Sequence, residues 1–361
     1  IDLRDNNLAG QFPAYSRDSF QIIEWVPSRY RENWIVTKYG LANLYNLRRL
    51  DLANNKLTGT IEYRPLYNLY SLTHFDVSGN QLSGELDALV TPSLKHVDFS
   101  NNKFTSMRHF EKYKVSPLQT LRFCDVSNNA IKHKSTDLLE NIPPNIEQFF
   151  ASNNQIYGSL PESLNNLPKL HQFNMSSNAL TGSLPDFTES FATLQKLDMS
   201  NQTNGLKGSI PENIWRSLSL KMLNLADNRL TGSIPSLVGN LAVLEKLDLT
   251  NNNVTGSIPS EIGMLEGSLK HLRLSNNMFT GTIPSQLGQL EGATVLLKLK
   301  ENNFYDSSKT APLSLCTLRS VIEFDLANDT QLCPVERNAL SDFYDSTKGA
   351  EWTDSTNWLD E

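Results

Sequence analysis

Leu247-Asp-Leu-Thr-Asn-Asn-Asn-Val-Thr-Gly-Ser-Ile-Pro259 decides the architecture, because near copies stand on either side of it: LNLADNRLTGSIP at 223–235 and LRLSNNMFTGTIP at 272–284. The shared frame is L-x-L-x-x-N-x-L-x-G-x-I-P. With its Asn as the marker, copies fall at Asn6, Asn55, Asn80, Asn102, Asn129, Asn154, Asn178, Asn204, Asn228, Asn252, Asn277 and Asn302, with Asp329 in a truncated last one. The mean step is about 25 residues, a spacing that marks a repeat array rather than ordinary domains. The interval from Asn6 to Asn55 is two steps wide, which predicts one degenerate repeat within 11–47.

Each element of the frame has a physical role. In L-x-L the two leucines point to one side of a short strand and the middle residue to the other. The Asn amide can bond the backbone of neighbouring coils, forming a buried polar ladder in which each member must be satisfied. Gly allows positive φ or close backbone approach, and Pro fixes φ while removing a donor. One coil cannot bury its own apolar side, so the copies must stack. The expected fold is therefore an α/β-type repeat solenoid of about 13–14 coils.

The G-x-I-P ending resembles the plant-type leucine-rich repeat of receptor-kinase ectodomains and polygalacturonase-inhibiting proteins. The resemblance covers nearly all of 1–333 and is tightest over 155–289, where GSLP, GSIP and GTIP recur. It implies a curved right-handed superhelix with short parallel strands on its concave face, working outside the cell or at its surface. The tail from Ala339, with T-K-G at 347–349 and then Trp352 and Trp358, resembles the N-terminal cap of surface leucine-rich-repeat proteins of plants and protists. Residues 334–361 thus read either as the opening of a following array or as a helical cap on this one. Ile1 stands in mid-motif, and the expectation is one array of a longer tandem protein.

Two stretches lose the frame, within 11–47 and within 107–144. The second holds Arg108, Lys112, Lys114, Lys132 and Lys134, a basic set that an acidic partner could meet, unless it is plain drift in a convex loop. Elsewhere the outward strand residue is mostly Asp (Asp51, Asp76, Asp98, Asp125, Asp198, Asp248), with Arg49, His74, His96, Lys196, Lys246 and His271 two positions earlier. Pairing between these columns predicts a flat, charge-balanced face. Its one break is Phe123 and Phe150 on adjacent coils, beside Gln148, Gln172 and Asn174. Aromatic groups amid polar ones suit an interface hot spot, so Phe123, Phe150, Gln148 and Gln172 form the candidate contact.

Of three cysteines, Cys124 occupies an inward strand position, while Cys316 and Cys333 flank the last repeat and could staple the end of the array; a partner for Cys333 in the next cap is the rival pairing. Sequons occur at Asn174, Asn201, Asn253 and Asn328. A glycan on Asn174 would obstruct the face beside Phe150. The net charge of −7 argues against nucleic acid, and no run approaches the length of a membrane helix. No nucleophile elbow, phosphate loop, metal-ligand spacing or cofactor motif is present. Two readings remain: an extracellular protein-interaction or adhesion scaffold meeting other proteins, including copies of itself, and a receptor-like or inhibitor ectodomain that takes a peptide, protein or glycan.

Overall fold

The computed structural model describes residues 1–11, 45–61, 69–86, 91–107, 119–140, 142–187, 192–290, 295–304 and 321–325. The chain divides into two compact units, Ile1–Leu206 and Lys207–Glu361. Both are stacks of the repeated coil. The first carries the parallel strands β1 (Arg49–Asp51), β2 (His74–Asp76), β3 (His96–Asp98), β4 (Phe123–Asp125), β5 (Gln148–Phe150), β6 (Gln172–Asn174) and β7 (Lys196–Asp198), side by side in sequence order. The second carries β8 (Met222–Asn224), β9 (Lys246–Asp248), β10 (His271–Arg273), β11 (Val295–Lys298) and β12 (Val321–Asp325) in the same fashion.

The alternation read from the sequence sets which side is buried. The paired inward residues Phe75 and Val77, Val97 and Phe99, Cys124 and Val126, and Phe149 and Ala151 are all fully buried, as are Leu247 with Leu249 and Leu272 with Leu274 in the second unit. Aromatic members interlock: Phe75 meets Phe99 edge-on at 5.6 Å, and Phe149 stacks on Phe173 at 5.8 Å. On the far side of the coil, the frame's Pro sits in extended backbone at the start of a short 3-10 helix, as at Pro161 before Glu162–Asn166 and Pro259 before Ser260–Leu265. Successive 3-10 turns approach so closely that a Cβ on Gly263 would lie 2.5 Å from the Gln286 carbonyl oxygen, which explains the glycine there.

The marker amides form the expected ladder. Asn80 Oδ1 accepts the Leu57 N–H at 2.9 Å, while its Nδ2 donates to the Leu52 carbonyl at 3.0 Å and the Val77 carbonyl at 2.9 Å. Each amide thus closes its own turn and clamps the preceding coil. A second feature accounts for the Asn-Asn doublets. The residue before the marker takes a left-handed conformation, with φ 54° at Asn54, 53° at Asn153 and 55° at Asn251. Asn tolerates that region better than most residues. Its side chain also builds an outer ladder: Asn153 Nδ2 donates to Asn128 Oδ1 at 2.7 Å.

One expectation changes. The marker in the eighth coil is Gln202, not Asn204: Gln202 Oε1 accepts the Leu180 N–H at 3.1 Å and Nε2 donates to the Met175 carbonyl at 2.9 Å. One extra methylene lets Gln reach the same partners. The coil of Asn6 lies directly against that of Asn55, since Ala9–Gln11 pairs with Lys56–Gly59 and Leu8 N–H donates to Asn55 Oδ1 at 2.8 Å. The degenerate repeat expected within 11–47 falls mostly on residues 12–44, which lie outside the described residues. Within 107–144, the described part contains β4 and a five-residue helix, α1 (Ser135–Leu139). The tail at 334–361 lies outside the described residues.

Candidate functional site

On the outward side of β2 to β5, the rings of four coils line up. Strands in register lie one hydrogen-bond spacing apart, so flat side chains at opposing positions stack. His74 opposes His96, and His96 opposes Phe123. Their centroids are 5.4 Å and 4.0 Å apart, the second pair with planes within 9°. Phe150 opposes Asp125 rather than Phe123, so its ring reaches Phe123 diagonally, at 5.7 Å and tilted by 54°. Both phenylalanines face outward and both are half-buried by their neighbours, while Phe149 between the strand's ends points into the core. Gln148 and Gln172 continue the column beyond Phe123.

The histidines had been expected to balance the aspartates, and they do not. Burial in the stack lowers the His96 pKa, with repulsion from His74 adding to it, and burial then Arg49 lower that of His74. Both shifts favour the uncharged ring. Asp76, Asp98 and Asp125 occupy the neighbouring column and accept the backbone N–H of Ser78, Ser100 and Ser127 at 3.0, 2.9 and 2.8 Å. Burial pushes the Asp98 carboxyl up to about 6, opposed by its Ser100 hydrogen bonds and reinforced by Asp125 and Asp76; burial raises Asp125 as well. Among the described residues no cation pairs with these three. Elsewhere the column is neutralised: Asp51 meets Arg49 at 2.8 Å and Arg4 at 3.2 Å, and Asp248 meets Lys246 at 3.4 Å and Arg273 at 3.5 Å.

This geometry makes a stability prediction. Asp98→Asn keeps an acceptor for Ser100, as Asn174 Oδ1 does for the Ser176 N–H at 2.9 Å, and removes a half-buried charge. Allowing for partial solvent screening, a raised pKa of this size corresponds to about 1–2 kcal/mol gained by the variant at pH 8. The folded state takes up this proton before the unfolded state does. The advantage should therefore be full above about pH 6 and vanish as pH falls toward the ordinary carboxylate range. Urea unfolding at pH 8 and pH 4 measures it; equal stabilities at pH 8 would refute the assignment.

The remaining candidates are placed as follows. Lys132 and Lys134 are exposed just before α1, whereas Arg108, Lys112 and Lys114 lie outside the described residues. So do Cys316, Cys333 and Asn328. Cys124 is buried with a free thiol. Asn253 and Asn201 are exposed, Asn201 in the left-handed turn with Nδ2 donating to Ser177 Oγ at 3.1 Å. Asn174 is half-buried on β6, opposite Phe150. Among the described residues no group of three or more His, Cys, Asp or Glu side chains is arranged to hold a metal ion, and no helix is long and apolar enough to cross a membrane. The sequence reading missed the histidines as part of the aromatic row; the signal was their position in the Phe123 column.

Four segments, 46–64, 219–241, 243–265 and 268–290, match the family described as Leucine Rich Repeat. By sequence, no curated protein matches the chain. Among solved structures, a TDR receptor is similar at 28% identity and TM-score 0.67 over 80% of this chain and 48% of its own. The Arabidopsis receptor kinase HAESA ectodomain, solved with an N-terminal extended IDA peptide hormone ligand, is similar at 29% identity and TM-score 0.68 over 79% of this chain and 46% of its own. A Leptospira interrogans leucine-rich-repeat protein shares the fold at 22% identity and TM-score 0.56, with 80% of each chain covered. The chain thus spans about half the length of the two plant receptors.

Proposed function

Since the chain is a leucine-rich-repeat protein, we propose that it is a non-enzymatic recognition module, working outside the cell, that takes an extended segment of a partner protein across the outward face of β2 to β6. The observation that carries this reading is the ring row His74, His96, Phe123 and Phe150 in a face otherwise made of carboxylates, amides and hydroxyls. Half-buried aromatic side chains held rigid by stacking lose little entropy on contact, which is what an interface anchor requires. Gln148, Gln172 and Asn174 beside them supply amide groups for a partner backbone. The likeness to receptor ectodomains, one of them holding a peptide hormone, supports both the mode and the extracellular setting. The scaffold reading, one array in a longer tandem assembly, draws on 334–361, and the ring row favours recognition over it.

Panning a phage-displayed library of random linear peptides against the intact chain tests the proposal. Enriched peptides should bind the wild type and lose binding to the Phe123→Ala/Phe150→Ala variant, whose fold is checked by circular dichroism. An empty selection, or peptides that bind the double variant equally well, would overturn it.

A further inference from the structure

We infer that the segment received on this face presents a cationic side chain, arginine above all, seated between the carboxylates of Asp98 and Asp125 and the rings of Phe123 and Phe150. This rests on the recognition reading above and specifies its chemistry.

The argument begins with an internal comparison. In the second unit, Asp248 on β9 lies opposite Arg273 on β10, and the two pair at 3.5 Å. In the first unit, Asp125 on β4 lies opposite Phe150 on β5 in the same strand position. Where one coil supplies its own guanidinium, the other supplies an aromatic ring, and no cation among the described residues pairs with the carboxylate. The same holds one strand earlier: Asp98 opposes Asp125, so two carboxylates stand side by side with no pairing cation among the described residues.

Two arginines of the first unit are committed elsewhere. Arg49 is held by Asp51 at 2.8 Å, and Arg122 by Glu147 at 3.0 Å. Adjacent half-buried carboxylates repel one another and lack part of their hydration, so the free protein holds them at a cost in stability. A cation from outside would remove that cost. The rings complete the fit. Phe123 precedes Asp125 by two residues on the same strand face, and Phe150 flanks Asp125 from the next coil. A guanidinium can accept both arrangements at once, giving planar two-point hydrogen bonding to carboxylate and face contact with an aromatic ring. An anionic segment would meet uncompensated negative charge here, and a wholly apolar one would bury the carboxylates further without a counter-charge.

The test extends the peptide selection. The recovered pool should be enriched in arginine, with lysine second. A fluorescein-labelled peptide from that pool should bind about tenfold more weakly once its arginine is replaced by the neutral isostere citrulline. Asp98→Asn/Asp125→Asn should weaken the arginine peptide by about the same factor and leave the citrulline peptide unchanged. Peptides that need Phe123 and Phe150 but show no excess of basic residues, or tolerate citrulline, would overturn this inference while the recognition reading stands. An empty pool overturns both readings. So does a pool whose binding ignores the ring variants, or self-association in sedimentation velocity that the ring variants abolish, which would make the face an interface between copies of the chain.

Discussion

Asn178→Ala is expected to destabilise the first unit by about 3–5 kcal/mol, since two or more buried backbone groups would lose their partners at once. Asn178 is 2% exposed. Its Oδ1 accepts the Ile156 N–H at 2.9 Å, and its Nδ2 donates to the carbonyls of Ala151 at 2.9 Å and Met175 at 3.0 Å. Alanine offers none of these, and the cavity it leaves is too closely walled by main chain for the orphaned groups to reach water. Asn178→Gln should cost far less, because Gln202 already makes the equivalent bonds one coil later. Urea unfolding of the three proteins, read by circular dichroism, decides it. Equal stability of the alanine variant would mean that the ladder is decoration on a stack held by its leucines.

The second large effect separates two adjacent residues on one strand. Phe149→Ala should cost about 3–5 kcal/mol, the usual penalty for emptying a fully enclosed aromatic site. Phe149 is 0% exposed and stacks on Phe173 at 5.8 Å. Phe150→Ala, one residue along, should change stability by about 1 kcal/mol or less while abolishing peptide capture, because its ring is half-buried and open to the outward face. Thermal unfolding and peptide binding measured on both variants give opposite rankings if the strand orientation is right. A shared ranking would place both rings in the core.

The frame was readable because strand alternation and the marker Asn act locally, coil by coil. Leu247, Leu249 and Asn252 announce their places without knowledge of any neighbour. The features that escaped were those depending on which coil touches which. Gln202 was passed over for Asn204 because reach, not residue type, qualifies a side chain for the ladder. The Asn-Asn doublets carried a signal for left-handed turns that the marker alone did not use. At the candidate site, Phe123 and Phe150 were legible as an exception, but their neighbours were misassigned. His74 and His96 had been paired with aspartates two residues along the same strand. Each stacks on the ring of the next strand instead, and burial lowers the pKa of both.

The ladder also limits how such a chain can change length. Each amide binds its own turn and the coil just before it, so removal of one whole coil, such as residues 154–177, lets the next amide meet an equivalent set of backbone groups. A deletion of any other size would bring mismatched groups together. Lengthening or shortening therefore comes in whole coils, and inheritance can trade them like links without redesigning the joints. The row of rings has no such freedom: losing the coil of Phe123 would set His96 against Gln148. A lineage can thus vary the extent of the stack readily, while its recognition surface persists only where a particular sequence of neighbours is kept.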